Sequence, residues 1–188
     1  MKNFPITVHY LEIFAKEDIN PKSVVRSDLK ISKVKEPDPE FARWFYRSVG
    51  KEWYWVDQYY WSLDEWEKWL LGSCISMWTM ELSNNLAGFY MLGAQSDSNV
   101  EVAYFGLLPS YVGNGFGSHL LTNALNEGFS MEASRVWLHT CSLDHPYALA
   151  NYKARGMKVY KVEDDIQLIP DSWPTPDTLS LIPLEAVT

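Results

Sequence analysis

A single mixed α/β domain is the fold that this sequence predicts. Its 188 residues suit one domain with a sizeable core. Strand-like apolar runs and runs of helical period follow in the order two strands, two helices, three strands, helix, strand, helix, strand. A glycine-rich stretch, Leu107-Leu-Pro-Ser-Tyr-Val-Gly-Asn-Gly-Phe-Gly117, joins a strand-like run, Val100–Leu107, to a helix-like run, Phe116–Phe129.

Taken in order, Ile6–Phe14 reads as a strand. Asn20-Pro21 marks a turn before a second strand, Asp28–Val34. Asp38-Pro39 sets an acceptor side chain before a proline at the first helical position, so a helix starts there and runs to about Val49, with Gly50 as its stop. Ser62-Leu-Asp-Glu65 is a capping-box pattern. It opens a short helix with Leu63, Trp66, Trp69 and Leu70 on one face and Gly72 at its end. Cys74–Leu82 and Leu86–Ala94 flank Ser83-Asn84-Asn85 as a hairpin, and Asn99–Leu107 is the next strand. Phe116, Leu120, Ala124 and Leu125 form a helical stripe. Arg135–Cys141 is a strand, Pro146–Arg155 a short helix closed by Gly156, and Met157–Val162 a returning strand. From Asp164 the tail holds Pro170, Pro174, Pro176 and Pro183 and reads as mostly irregular, with an edge strand near Leu179–Ile182.

Charge narrows the partners. The formal net charge is -8, from 16 basic and 24 acidic side chains. That argues against nucleic acid or an anionic membrane and mildly favours cationic substrates, although solubility explains most of it. Cys74 and Cys141 lie in apolar strand-like runs and read as reduced core residues, too few for a metal site. The chain opens on no basic-plus-apolar leader and has no apolar run of about 18 residues, so a cytoplasmic protein is expected. Nine Trp are present, and six of them fall between Trp44 and Trp69. That crowding calls for more than core filling.

Gly113, Gly115 and Gly117 let the main chain turn tightly and leave no Cβ between a ligand and the amides. A helix starting just after them adds unpaired N–H groups and a positive dipole end. The two together make a phosphate cradle.

Pro109-Ser-Tyr-Val-Gly-Asn-Gly-Phe-Gly-Ser-His-Leu-Leu121 resembles the acyl-CoA signature of the GNAT N-acetyltransferases, and Ala148-Leu-Ala-Asn-Tyr-Lys-Ala-Arg-Gly-Met157 resembles that family's second signature. The likeness extends over roughly Pro37–Val162. Trp137-Leu-His-Thr-Cys-Ser-Leu-Asp-His-Pro146 and the Trp-rich first half are similar to a bacterial subgroup whose substrate is uncharacterised. The resemblance implies a twisted, largely antiparallel sheet with splayed central strands, and acetyl-CoA as the acyl donor. By resemblance, main chain at Phe105, Gly106 and Leu107 pairs with the pantetheine arm, and Leu107 donates to the oxyanion. Val112, Gly113, Asn114, Gly115, Phe116, Gly117 and Ser118, with Asn151, complete the cofactor side. Val112 stands where relatives carry Gln or Arg, and Asn114 where they are often basic. Both changes remove side-chain partners for the diphosphate and leave the main-chain cradle.

Acetyl transfer to an amine needs a fixed thioester, a neutral amine, a steadied oxyanion and a proton for the thiolate. Tyr152 matches the family tyrosine and is the candidate acid. Two candidates stand for the base. Glu101 sits six residues before Leu107, on an apolar strand whose alternation groups it with Ala103, Phe105 and Leu107. His139 lies mid-strand across the expected gap and suits proton removal near neutrality. Trp53, Trp55, Asp57 and Tyr60, in Trp53-Tyr-Trp-Val-Asp-Gln-Tyr-Tyr-Trp61, are the candidate acceptor pocket. The same rings suit a second core or a homodimer patch. The expected reaction is N-acetylation of an amine-bearing small molecule or peptide without a metal. The rival expectation is a catalytically silent acyl-CoA-binding module.

Overall fold

The computed structural model describes residues 1–72 and 74–173. Its strands are β1 Lys2–Ile13, β2 Leu29–Lys33, β3 Ile75–Leu82, β4 Asn85–Gln95, β5 Asn99–Leu107, β6 Arg135–Cys141 and β7 Lys158–Ile169. Its α-helices are α1 Pro39–Gly50, α2 Leu63–Gly72, α3 Phe116–Ser130 and α4 Ala148–Ala154. The strands form one sheet in the order β2-β3-β4-β5-β6-β1-β7. All neighbours are antiparallel except β5 and β6, which run parallel. The expected mixed sheet is present, and so is the expected splay. β5 and β6 pair only at Asn99–Arg135, Val100–Val136 and Glu101–Trp137, and then part.

Helices cover both faces because the strands alternate apolar residues to both sides. On one face Trp78, Tyr90, Val136 and Leu138 pack with Leu120 and Leu121 of α3 and Tyr152 of α4. On the other, Met77, Phe89 and Met91 pack with Phe45 and Tyr46 of α1 and Trp66 of α2. α1 begins as expected: the Asp38 carboxylate accepts from the Glu40 N–H at 3.0 Å ahead of Pro39. α2 begins on the expected reciprocal cap, with Glu65 N donating to Ser62 Oγ at 3.3 Å and Ser62 N donating to Glu65 Oε2 at 2.8 Å.

Several sequence expectations are corrected. α1 ends at Gly50 as expected, but not through a left-handed glycine. Its φ is -76°, the chain continues through a 3-10 turn at Lys51–Trp53, and Tyr54 takes the left-handed conformation instead. Gly50 is glycine because the Trp55 ring lies on it, so that an added Cβ would stand 2.5 Å from Trp55 Cβ. The β3–β4 turn has two residues, Ser83 and Asn84, both at positive φ, and Asn85 already pairs with Leu82. Cys74 is an exposed residue at φ 48° before β3, not a core residue, and Cys141 is half-buried. α4 starts at Ala148, two residues after Pro146. β7 does not stop at Val162. It runs to Ile169 because β1 is longer than expected and pairs with it from Lys2–Ile169 to Glu12–Lys158. The anticipated strand near Leu179–Ile182 lies outside the described residues.

A bulge in β5 also changes the face on which Glu101 sits. Leu92 pairs with Val102 and Met91 with Tyr104, which leaves Ala103 as an extra residue. Val100 and Val102 pack on the α3 side before the bulge, and Phe105 and Leu107 do so after it. Glu101 therefore shares its face with Tyr104, not with Phe105 and Leu107 as strict alternation implied. Among the described residues no helix is long and apolar enough to cross a membrane.

The contact at Gly50 sets a stability test. Gly50→Ala forces the Trp55 ring off α1 and is expected to cost about 1–3 kcal/mol in urea unfolding. Gly72→Ala, whose new methyl meets nothing within 4 Å, is expected to be neutral or to stabilise by up to about 1 kcal/mol.

Candidate active site

The parting of β5 and β6 opens a cavity of about 630 Å³. One wall is β5 from Val102 to Leu107, and the facing wall includes Leu138, His139 and Cys141 of β6. The β5 wall presents free main chain. Leu108 N–H donates to Ala87 O at 2.9 Å, and Gly88 pairs with Leu107. Antiparallel alternation then turns the N–H and C=O of Leu107 and of Phe105 away from β4, toward the gap. Gly106 has its polar groups on the β4 side. It is glycine for a packing reason, since a Cβ there would run into Val49 Cγ1.

At one end of the cavity lies the glycine loop. Gly113 and Gly115 have φ of 88° and 79°, and a Cβ added at either would meet nothing within 4 Å. The glycines are there for left-handed backbone, and the space above them is open. Gly115 is the N-cap of α3. Asn114 does not face the cavity, because its side-chain amide donates back to Val112 O at 3.3 Å. Phe116 buries its ring in the first core, so only its main chain belongs to the loop. Ser118 Oγ donates to Asn151 Oδ1 at 2.8 Å, which leaves the Asn151 NH₂ as the free end of that side chain. Both residues line the cavity.

The aromatic segment forms both core and wall. Trp66 is fully buried, and Trp44, Trp55, Trp61 and Trp69 pack around the second core. Gln58 fastens the segment from below: its N–H donates to Tyr46 Oη at 3.1 Å, and its Oε1 accepts from the Tyr104 hydroxyl. Trp53, Trp55 and Asp57 line the cavity, and Tyr60 does not; Tyr60 is exposed and stacks edge-on against Tyr59. Tyr54, which the sequence reading passed over, also lines the cavity. It is flanked by Phe4 at 6.2 Å and Trp173 at 6.0 Å between ring centres.

Asp144 ties the two walls together. Its carboxylate accepts from Trp55 Nε1 at 3.1 Å, from Thr140 Oγ1 at 2.6 Å and from the Cys141 N–H at 3.1 Å. Beside it the Trp53 and His145 rings meet edge to face at 4.8 Å. The aromatic segment is thereby bridged to the loop between β6 and α4. An Asp two residues before Pro146 carried no sequence signal for this contact.

The titratable groups differ in access. Tyr152 lines the cavity beside Phe105, and burial, with Asp144 nearby, raises its phenol far above the usual range. His139 lines the cavity and is half-exposed. Glu101 lies behind it with Oε1 3.8 Å from His139 Nδ1. Burial raises the Glu101 carboxyl, and His139 opposes the shift. Burial and Asp144 push the Cys141 thiol up, which disfavours it as an acyl carrier. Among the described residues no three His, Cys, Asp or Glu side chains are grouped to hold a metal.

The sequence model of the Acetyltransferase (GNAT) family matches residues 39–157. No curated protein sequence matches the chain. A GCN5-related N-acetyltransferase from Sphaerobacter thermophilus shares its fold with a TM-score of 0.66 at 12% identity, over 85% of this chain and 50% of that one. One from Kribbella flavida gives 0.60 at 16% identity, over 83% and 55%. Spermidine N-acetyltransferase from Vibrio cholerae, in complex with CoA and spermine, gives 0.55 at 22% identity, over 70% and 81%. The chain spans about half the length of the first two.

The carboxylate bridge has a measurable weight. Asp144→Ala strips three donors of their acceptor and is expected to cost about 3 kcal/mol in urea unfolding, with a red shift of tryptophan emission as Trp55 loosens. An unchanged midpoint and spectrum would show that the bridge carries nothing.

Proposed function

The chain belongs to the GNAT acetyltransferase family, and from that premise we propose that it moves an acetyl group from acetyl-CoA to a primary amine of a small molecule or peptide. The amine attacks directly, with both substrates bound. The observation that carries this reading is the β5 edge, unpaired among the described residues, leading into a glycine loop with open space above it.

Acetyl-CoA supplies the activated thioester. Phe105 and Leu107 hold the pantetheine arm through their gap-facing main chain, in the manner of an added strand, and the Leu107 N–H steadies charge on the reacting oxygen. Amides from Val112 to Ser118, at the positive end of α3, hold the diphosphate without a basic side chain. The Asn151 NH₂ adds one side-chain donor on the same side. Tyr152 donates a proton to the departing sulfur. Its raised phenol remains protonated where an ordinary tyrosine, near about pH 10, would lose its proton. The Glu101–His139 pair takes the proton that the amine gives up.

The acceptor site is the wall formed by Trp53, Trp55 and Asp57. Asp57, Asp144 and Asp165 line the cavity, and among the described residues no Lys or Arg lines it. That charge balance supports an acceptor that arrives as a cation and packs against aromatic rings. The spermine in the Vibrio cholerae structure is in keeping with such an acceptor. A cytoplasmic setting belongs to the same reading, in keeping with the free thiols Cys74 and Cys141.

Release of free CoA thiol from acetyl-CoA, followed across a panel of amines, tests the proposal. Binding of acetyl-CoA without turnover on any amine would replace it with the silent binding module. Gly115→Val sets a β-branched residue at φ 79° and carbons over the loop, and is expected to abolish acetyl-CoA binding by calorimetry. Tyr152→Phe is expected to lower kcat by about 100-fold with acetyl-CoA affinity intact. In the unsubstituted protein, kcat is expected to show no fall from loss of the acid up to about pH 10. A descending limb that Tyr152→Phe removes would contradict the assignment of a buried acid.

A further inference from the structure

Glu101 and His139 are not interchangeable in position. His139 lines the cavity and Glu101 does not. Glu101–Trp137 is the last parallel pair before β5 and β6 separate, so the carboxylate stands at the closed end of the gap. Behind it is Gln95, the last residue of β4. Gln95 Nε2 donates to Glu101 Oε2 at 2.9 Å, and Gln95 Oε1 accepts from Trp137 Nε1 at 2.9 Å. The other carboxylate oxygen, Oε1, faces His139 Nδ1 at 3.8 Å. The imidazole has the Tyr10 ring on one neighbouring strand at 5.9 Å and the Trp137 ring on its own strand at 6.4 Å. The row Trp137–Gln95–Glu101–His139 thus runs from three strands to one imidazole.

We propose that His139 Nε2 is the atom that takes the acceptor's proton, and that Gln95 and Glu101 are positioning residues that hold the imidazole with its proton on Nδ1. This rests on the acetyltransferase reading. At 3.8 Å the carboxylate acts on the ring through its charge, which favours the N–H on the nitrogen nearest to it. Nδ1–H then faces Glu101 Oε1, and Nε2 keeps its lone pair. The attacking nitrogen, having already lost its ammonium proton to solvent, gives a second proton to Nε2 as its bond to the acetyl carbon forms. The imidazolium that results has the Glu101 carboxylate beside it. Gln95 is what makes the carboxylate directional. With Oε2 bonded to a side chain that Trp137 anchors, Oε1 is the oxygen left for the ring. Neither Gln95 nor Trp137 lines the cavity, so neither needs to touch a substrate to act.

The tautomer can be read without turnover. Long-range ¹H–¹⁵N correlation spectra of the uniformly labelled protein, with His139→Gln to assign the signal, are expected to show the Nδ1–H form for His139. Glu101→Gln and Gln95→Leu should each shift the signal toward the Nε2–H form. A predominantly Nε2–H imidazole in the unsubstituted protein, or one that neither substitution moves, would overturn the proposal. In the thiol-release assay Glu101→Gln is expected to lower kcat by about 10- to 100-fold and Gln95→Leu by about tenfold, each with the KM for acetyl-CoA unchanged. Gln95→Glu, which keeps an acceptor for Trp137 but loses the donor to Glu101, should not restore the rate. Its restoration would mean that Gln95 serves only to pack Trp137. If no amine supports turnover while the tautomer behaves as expected, the acetyltransferase reading fails and the side-chain row stands.

Discussion

A strand edge that has no ladder partner among the described residues is the constraint around which this protein is arranged. Main-chain N–H and C=O groups that face away from water need partners, yet beyond Glu101 and Trp137 the backbones of β5 and β6 supply none to each other. The gap-facing groups of Phe105 and Leu107 have no ladder partner among the described residues. The bulge at Ala103 belongs to the same device. It puts Tyr104 into the second core, next to Gln58, and turns Phe105 and Leu107 toward α3. The glycine loop continues the wall beyond Leu107 and exchanges strand pairing for the donors of a helix start.

The other side of the site is built from aromatic mass. Trp66 in α2, Tyr46 in α1 and Tyr104 in β5 meet edge to face or tilted, with ring centres 4.9 to 6.5 Å apart. Trp55 extends that packing to the cavity, and its indole N–H finds the Asp144 carboxylate. A ring with one wet edge and one dry face suits this double duty. The segment therefore serves as core and as wall at once, alternatives that composition alone had left side by side.

Much of the fold was legible in the chain because local signals coincide with long elements. The Asp38-Pro39 start, the Ser62–Glu65 box and the Gly113–Gly117 loop are short-range chemistry, and each appears where the residues place it. The failures are of another kind. Gly50 does end α1, but it is small for the sake of Trp55, a tertiary reason. Asp164-Asp165 looked like the start of an irregular tail. It holds as a strand because β1 pairs along its whole length, and Thr7 Oγ1 donates to Asp164 Oδ1 at 3.0 Å. One extra residue in β5 is invisible to a period-two reading, and it moved Glu101 to the other face. Which of Glu101 and His139 reaches the cavity, and that Asp144 and Gln95 hold their neighbours, depends on contacts between residues distant in the chain. No spacing along a sequence encodes those.

The place of β1 between β6 and β7 has a consequence for biogenesis. Lys2–Ile13 is synthesised ahead of both strands that flank it. Until Arg135–Cys141 and Lys158–Ile169 have left the ribosome, this segment has neither ladder partner, and its Ile6, Val8, Leu11 and Ile13 lack the surroundings that bury them. Long-range pairing of this sort slows folding and exposes nascent strands to aggregation. Of the seven strands this one waits longest for its neighbours, so a chaperone that shelters Lys2–Ile13 until then would cover the segment most exposed during synthesis.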